Sequence, residues 1–168
     1  LRAHVQTARE QGPGLEDAAG TSDRRDAANR TAVLDESTCY AHLSDPHGFT
    51  HALTGRLRSE GALHDADLSG VVFRDIDFSG IGLYGCRFTE SVFENCTMSR
   101  GYVDLCVFER ARFSDCSIVE ASIRNSVFGG AIVTNCDYTG SDIIQCSWNA
   151  TVCTGVTFDD NDLLHTRF

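Results

Sequence analysis

The sequence predicts an all-β solenoid, in which short strands wind into stacked coils. From Ala66 to Phe168 the chain repeats every five residues without a break in register. The third residue of each block is apolar or aromatic, and the first is usually small. A helix has a period of about 3.6 residues and a strand a period of about two, so a period of five indicates the turn of a solenoid.

Two segments precede the repeat. Residues 1–30 are rich in Arg, Asp, Ala, Gly and Gln and show little apolar periodicity, which predicts a disordered leader. Residues 31–65 differ in composition and are predicted to form a helical N-terminal cap, because the terminal coil of a repeat protein needs a covering element. Residues 66–168 are the predicted β-helix.

The cap segment carries the signals of one short helix over residues 46–60. Asp45 is predicted as its N-cap, Pro46 as its first residue and Gly61 as its stop. An apolar face of this helix is predicted to pack on the first coil of the solenoid. The face consists of Phe49, Ala52, Leu53 and Leu57.

Four consecutive blocks make one square coil of twenty residues, so residues twenty apart are predicted to stack at about 4.8 Å. The repeat then has about five coils and four walls, whose first blocks are 66–70 (wall 1), 71–75 (wall 2), 76–80 (wall 3) and 81–85 (wall 4). Each wall contributes one ladder of inward side chains. The ladders are Leu68, Phe88, Phe108, Phe128, Trp148 and Phe168; Phe73, Phe93, Phe113, Val133 and Cys153; Phe78, Met98, Ile118, Tyr138 and Phe158; and Leu83, Val103, Ile123, Ile143 and Leu163.

Most of the eight cysteines occupy the small first position of a block. They are predicted to be small buried side chains in a reducing compartment rather than a disulfide framework. These residues are Cys86, Cys96, Cys106, Cys116, Cys136 and Cys146.

The blocks ADLSG (66–70) and IDFSG (76–80) closely match a small-x-(Leu/Phe)-x-x pattern. Because they repeat this pattern, residues 66–168 resemble the pentapeptide-repeat family. The resemblance implies a right-handed quadrilateral β-helix without a shared catalytic motif. Some members of the family protect gyrase by imitating a DNA duplex with an acidic rod. Others are non-catalytic parts of bacterial effectors, including β-helix domains attached to HECT-like ubiquitin ligases.

The net charge of −10 at pH 7 argues against direct binding to nucleic acid or to an anionic membrane surface, because both need a positive footprint. A protein partner is favoured instead, and a basic DNA-binding surface would be complementary. No apolar run is long enough to span a membrane, and the first residues show no signal-peptide segment. The sequence therefore predicts a bacterial cytoplasmic protein, or one secreted into a host cell if it is an effector.

The sequence predicts neither an enzyme nor a metal or cofactor site. No loop interrupts the repeat to bring a nucleophile, a base and an orienting group together. Cys39 and His42 form one pair with metal-like spacing, and His47 and His51 form another. No further pair strengthens that signal, so the histidines are predicted to face solvent.

Charge divides unevenly between the walls. The outward acidic residues of walls 3 and 4 are opposed there only by Arg100 and Arg124, whereas walls 1 and 2 are nearly balanced. Walls 3 and 4 are therefore predicted to form an acidic partner-binding face. Its predicted residues are Asp77, Asp104, Glu120, Asp137, Asp142, Asp159, Asp160 and Asp162.

A valine-rich strip follows outward positions of walls 1 and 2. Contiguous exposed apolar side chains usually mark a contact, so the strip is predicted to be a partner or homodimer interface, or a docking strip for residues 31–44. The β propensity of valine and isoleucine is an alternative explanation. The strip consists of Val72, Val92, Val107, Val127, Ile132 and Val152.

Three functions are compatible with these features. The leading hypothesis is a non-catalytic protein-binding module with an acidic face, and its sharpest form is a DNA mimic that modulates a type II topoisomerase such as gyrase. The second is a targeting or scaffold segment of a secreted bacterial effector whose activity lies outside this chain. The third is a purely structural spacer.

Overall fold

The structure is a computed structural model and describes residues 44–168. The predicted leader and the first part of the predicted cap, residues 1–43, lie outside the described residues. The described part of the chain folds as one helix followed by a β-solenoid of about five coils with parallel strands. The predicted solenoid fold is confirmed.

Helix α1 spans Pro46–Glu60, as the sequence predicts. The Asp45 carboxylate accepts a hydrogen bond from the Gly48 N–H at 2.8 Å, which caps the first turn. Gly61 ends the helix in the left-handed conformation with a φ of 71°, and its N–H donates to the Leu57 carbonyl at 2.8 Å.

The buried face of α1 differs in part from the predicted face. Leu53 and Leu57 are buried as predicted, but Ala52 is exposed, so its assignment to the face is wrong. Thr50 and Thr54 are buried instead. Each threonine hydroxyl donates to a carbonyl one turn earlier, which lets a polar side chain lie in the interface at little cost. The helix is therefore rotated towards its threonine side.

Ten strands of three residues follow the helix. They are β1 (Ala62–His64), β2 (Val72–Arg74), β3 (Gly82–Tyr84), β4 (Val92–Glu94), β5 (Tyr102–Asp104), β6 (Arg112–Ser114), β7 (Ser122–Arg124), β8 (Ile132–Thr134), β9 (Asp142–Ile144) and β10 (Val152–Thr154). The odd-numbered strands form the parallel sheet of wall 4, and the even-numbered strands form that of wall 2. On walls 1 and 3, successive coils are joined by isolated parallel bridges, such as Arg87 to Val107 on wall 1 and Ser117 to Asp137 on wall 3.

The solenoid begins one block before the predicted boundary at residue 66. β1 pairs in register with β3, which places Leu63 beneath Leu83 in the ladder of wall 4. Leu63 is buried and occupies the third position of the block GALHD. Gly61 therefore ends the helix and opens the first block of the solenoid at once, with no linker between them.

The inward side chains stack in the predicted register. The Phe93 and Phe113 rings lie 4.7 Å apart at an interplanar angle of 3°, and the Phe88 and Phe108 rings lie 5.0 Å apart at the same angle. These distances match the separation of hydrogen-bonded strands, about 4.8 Å. Backbone pairing and ring stacking therefore reinforce each other in every coil.

The fifth residue of every block from Asp65 to His165 has a positive φ, between 49° and 73°. Side chains other than glycine, asparagine and aspartate lose roughly 1–2 kcal/mol in this conformation. Glycine, asparagine or aspartate accordingly fills thirteen of these twenty-one corners. The corner conformation thus explains a preference that the period of five leaves unexplained.

First-position side chains donate hydrogen bonds as well as filling space. The Cys96 thiol donates to the carbonyls of Phe73 at 3.6 Å and Glu94 at 3.4 Å. The Ser91 hydroxyl donates at 2.8 Å to the Leu68 carbonyl, which also lies 23 residues earlier. The six predicted cysteines are buried and unpaired, as predicted, and their position favours a small side chain with a donor.

Replacing Leu57 with alanine is expected to lower the free energy of unfolding by about 2–5 kcal/mol, because it leaves a cavity between α1 and the first coil. Denaturant titration measures the change. Ser59→Ala, at an exposed position of the same helix, is the control and should change stability by less than about 0.5 kcal/mol. Similar small effects of the two variants would contradict the role of α1 as a docked cap.

Ser91→Ala is expected to cost about 1 kcal/mol of unfolding free energy, because the buried Leu68 carbonyl loses one of its donors. Ser91→Cys should change stability less, since a thiol donates from the same position in other coils. The same denaturant titration compares them. A cysteine variant less stable than the alanine variant would show that the donor is unimportant.

Candidate protein-binding surface

Walls 3 and 4 together present one acidic face. All eight acidic residues predicted for it lie at outward positions and are half-buried or exposed. Asp65 joins them because the solenoid begins one block earlier. With Arg100 and Arg124 counted, these nine acids leave a net charge of −7. The acidic face is defined as Asp65, Asp77, Asp104, Glu120, Asp137, Asp142, Asp159, Asp160 and Asp162.

Three of the six acidic residues on walls 1 and 2 form ion pairs with arginines in a neighbouring coil. The pairs are Arg74 with Glu94, Arg87 with Asp67 at 4.0 Å, and Arg110 with Glu90 at 3.1 Å. On the acidic face, the ion pair recorded among the described residues joins Arg124 to Asp142 at 3.6 Å. The difference in net charge between the two sides is therefore also a difference in local pairing.

Part of the acidic face also stabilises the turns. The carboxylates of Asp77, Asp137 and Asp162 accept the backbone N–H two residues later, at 2.9, 2.9 and 3.0 Å. Such bonds close local turns. In the described part of the chain, the Glu120 and Asp159 carboxylates have no recorded turn bond of this kind. Charge can therefore be changed at these two residues without removing a turn bond of this kind.

The turn bonds change the acidity of two carboxyl groups. The Ser79 hydroxyl, and then the Ser79 backbone N–H, hold the pKa of Asp77 below its usual value. The Thr139 hydroxyl and N–H lower the pKa of Asp137 in the same way. Hydrogen bonds to the ionised form favour it, so both groups keep their negative charge further into the acid range.

The valine-rich strip is less exposed than its sequence pattern predicts. Half-buried members are Val72, Val92, Val107 and Val127. Ile132 and Val152 are 39% and 57% exposed. Arg112 lies between Val92 and Ile132 in the register of wall 2, so a charged side chain interrupts the strip. A contact through the strip stays a prediction, centred on Ile132 and Val152.

A groove of about 540 Å³ lies between α1 and wall 2. Its basic lining residues are His47, His51, Arg58 and Arg74. Both histidines are exposed, as predicted, whereas Cys39 and His42 lie outside the described residues. Across residues 44–168, no three metal-ligating side chains come close enough together to hold an ion.

Two of the buried cysteines, Cys96 and Cys146, have environments unlike those of reactive thiols. Cys146 is almost fully buried, and burial raises the pKa of its thiol. A hydrogen bond with Cys116 and then burial raise the pKa of Cys96. Since the thiolate is the reactive form, these side chains have a structural role. Cys153, an inward residue of the last coil, is exposed.

Wall 4 carries an aromatic patch that the sequence reasoning missed. Tyr102 is 58% exposed and Leu105 is 64% exposed. One coil below, the Tyr84 ring stacks on His64 with centroids 4.8 Å apart and an interplanar angle of 13°. The signal lay in the sequence, because few outward positions of the repeat hold an aromatic residue and few corners hold a large apolar one. The aromatic patch is defined as His64, Tyr84, Tyr102 and Leu105.

Helix α1 is too short to cross a bilayer, and the structure contains no other candidate membrane-spanning helix between residues 44 and 168.

Comparison with protein families confirms the resemblance found in the sequence. The family model "Pentapeptide repeats" matches residues 63–100 with eight copies of the repeat. No curated protein matches the sequence.

Comparison with solved structures identifies further pentapeptide-repeat proteins. Rfr23 from the cyanobacterium Cyanothece 51142 is 15% identical with a TM-score of 0.65, over 71% of this chain and 94% of that one. A pentapeptide repeat protein from the Arabidopsis thaliana thylakoid lumen is 20% identical, with coverages of 56% and 69% and a TM-score of 0.40. QnrB1, a plasmid-mediated fluoroquinolone resistance protein, is 15% identical in a trypsin-treated form, with coverages of 64% and 70% and a TM-score of 0.33. At 15% identity, the similarity to Rfr23 shows a shared fold and nothing more.

Acid is expected to destabilise the solenoid through Asp77 and Asp137. Because their folded-state pKa values lie below the unfolded ones, their stabilisation is present above about pH 4 and is lost as the pH falls through the folded values. Asp137→Asn keeps an acceptor for the turn but does not titrate, so its free energy of unfolding should fall less steeply between about pH 5 and pH 2. Denaturant titrations across this range measure the slopes, and equal slopes for variant and native chain would contradict the assignment.

Proposed function

Because residues 63–100 match the pentapeptide-repeat family model, we propose that this chain is a non-catalytic protein-binding module whose acidic face contacts a basic surface of a partner. The observation that carries the proposal is the separation of charge. One side of the solenoid has a net charge of −7, while the other side has six acidic residues and five arginines and forms three ion pairs between coils. Proteins with such one-sided potentials attract oppositely charged surfaces and orient them before contact.

The rigidity of the fold supports the same proposal. Backbone hydrogen bonds join every coil to the next, and stacked aromatic rings fill the interior, so the inward side chains have little room to move. Outward side chains are therefore held at fixed positions before any partner arrives. Preorganisation reduces the entropy lost on binding, which favours a module that presents a surface.

The sharpest form of the proposal is mimicry of duplex DNA towards a type II topoisomerase such as gyrase. Five coils span about 25 Å, comparable in length to about seven base pairs. A net charge of −7 over this length is about one charge per 3.6 Å, against about one per 1.7 Å for the duplex. The acidic face thus has about half the charge density of DNA, which favours a short contact that weakens steeply with salt.

The test of this form is a supercoiling assay with purified gyrase. The native chain is expected to inhibit supercoiling or protect against a quinolone at micromolar concentration, and its effect should decline as salt is raised. The triple variant Glu120→Lys, Asp142→Lys and Asp159→Lys should lose the effect at least about tenfold, because it reverses charge at the centre and end of the acidic face.

The matched control is Glu90→Lys, Glu109→Lys and Asp115→Lys, which changes the net charge equally on walls 1 and 2. This control should retain most of the effect. Equal losses in both triple variants would assign the effect to total charge rather than to one face. No effect of the native chain on gyrase would remove the topoisomerase form, and binding of the acidic face would then be tested on other basic proteins.

A further inference from the structure

We infer that the aromatic patch on wall 4 is a recognition site for an arginine flanked by apolar residues on a partner protein. The inference rests on the proposed protein-binding function and names the residue that the partner presents. It concerns Tyr84, Tyr102 and Leu105, which lie within two adjacent coils on one wall.

The requirements of folding do not favour a leucine at position 105. It is the one large apolar residue among the twenty-one corner positions, and its φ is 55°. Its side chain is 64% exposed, so it gains little from burial in this chain. Asparagine or glycine would suit the corner better. A residue that breaks a local folding rule without internal compensation is expected at a functional position.

The two tyrosines extend the same surface. Tyr102 is the register partner of Gly82, one coil below. The Tyr84 ring covers Gly82 closely, since a Cβ at that glycine would lie 2.5 Å from the Tyr84 Cε2 atom. Gly82 therefore leaves room for the Tyr84 ring to lie over it, one coil below Tyr102. His64 stacks on the other side of Tyr84 and helps to fix its plane.

Carboxylates adjoin this apolar surface. Asp104 lies between Tyr102 and Leu105 in the chain and is the register partner of Tyr84. Its carboxylate accepts a hydrogen bond from the Asn125 side chain at 2.8 Å, which holds it in place beside the rings. The patch also lies on wall 4, which carries four of the nine residues of the acidic face.

This combination fits arginine better than any other side chain. The planar guanidinium stacks on an aromatic face and donates paired hydrogen bonds to a carboxylate at the same time. Leucine beside it accommodates apolar neighbours of the arginine. Tyrosine and arginine are also the residues that most often dominate binding energy in protein interfaces. An acidic partner segment would be repelled by the surrounding carboxylates.

The experiment selects peptides on the native full chain. A random library of twelve-residue peptides displayed on messenger RNA is the probe, and the most enriched peptides are synthesised and their Kd values measured by calorimetry. Enriched peptides are expected to carry an arginine next to apolar residues. Changing that arginine to lysine should weaken binding severalfold, and changing it to glutamine should abolish it.

Two variants of the chain then locate the site. Leu105→Asn and Tyr102→Ser should each weaken binding of the selected peptide at least about tenfold. Leu105→Asn should leave the melting temperature unchanged or raise it, because asparagine suits the corner conformation. Loss of binding with retained stability would separate recognition from folding. Leu164→Asn, at an exposed apolar position in the last coil of wall 4, is the control and should leave Kd within about twofold.

Several outcomes would overturn the inference. Enrichment of no peptide, or of peptides without arginine, would exclude an arginine site. Unchanged binding by Leu105→Asn, or loss in Leu164→Asn instead, would place the peptide elsewhere. A dimer of the native chain in sedimentation that Leu105→Asn converts to a monomer would show that the patch binds a second copy.

Failure of this inference is distinguishable from failure of the proposed function. If the acidic-face triple variant loses a protein partner while Leu105→Asn keeps it, the arginine site is wrong and the protein-binding function stands. If the native chain binds no basic protein through its acidic face, the proposed function itself fails.

Discussion

In-register stacking of residues twenty apart is the constraint on which the rest of this structure depends. Each coil places a ring or an aliphatic side chain directly over the equivalent one of the coil below, as Phe113 lies over Phe93. The ring spacing and the strand spacing agree, so the core and the backbone bonds form together. A single inserted residue would turn every following inward side chain outwards. The unbroken period is thus a requirement of the core rather than a decoration of the sequence.

This constraint divides the residues of each block between the inside and the outside. The third position fills the core, the first donates to neighbouring carbonyls, and the fifth takes a positive φ at the corner. Side chains at the second and fourth positions contribute little to folding, so the residue types found there vary. Charge separates on these positions and on the corners, since three ion pairs join coils on walls 1 and 2 and one joins coils on walls 3 and 4.

Folding and recognition overlap at some outward residues and separate at others. Asp77 and Asp137 contribute charge to the acidic face and also accept turn hydrogen bonds, so a change there alters both properties. Glu120 supplies charge without such a bond among the described residues. Leu105 contributes little to folding, because its corner conformation and its exposure both disfavour leucine. Such residues distinguish a binding surface from a solvated rod.

The sequence by itself determined the solenoid, its four ladders and the bounds of α1, because these follow from the period and from Asp45, Pro46 and Gly61. Inward positions are set by the backbone path, which a local pattern encodes. Outward burial was decided by neighbours a coil away, and by the docking of α1 on its threonine side. Tertiary packing alone half-buries Val92 and lays the Tyr84 ring over Gly82, since both depend on which side chain stands twenty residues away.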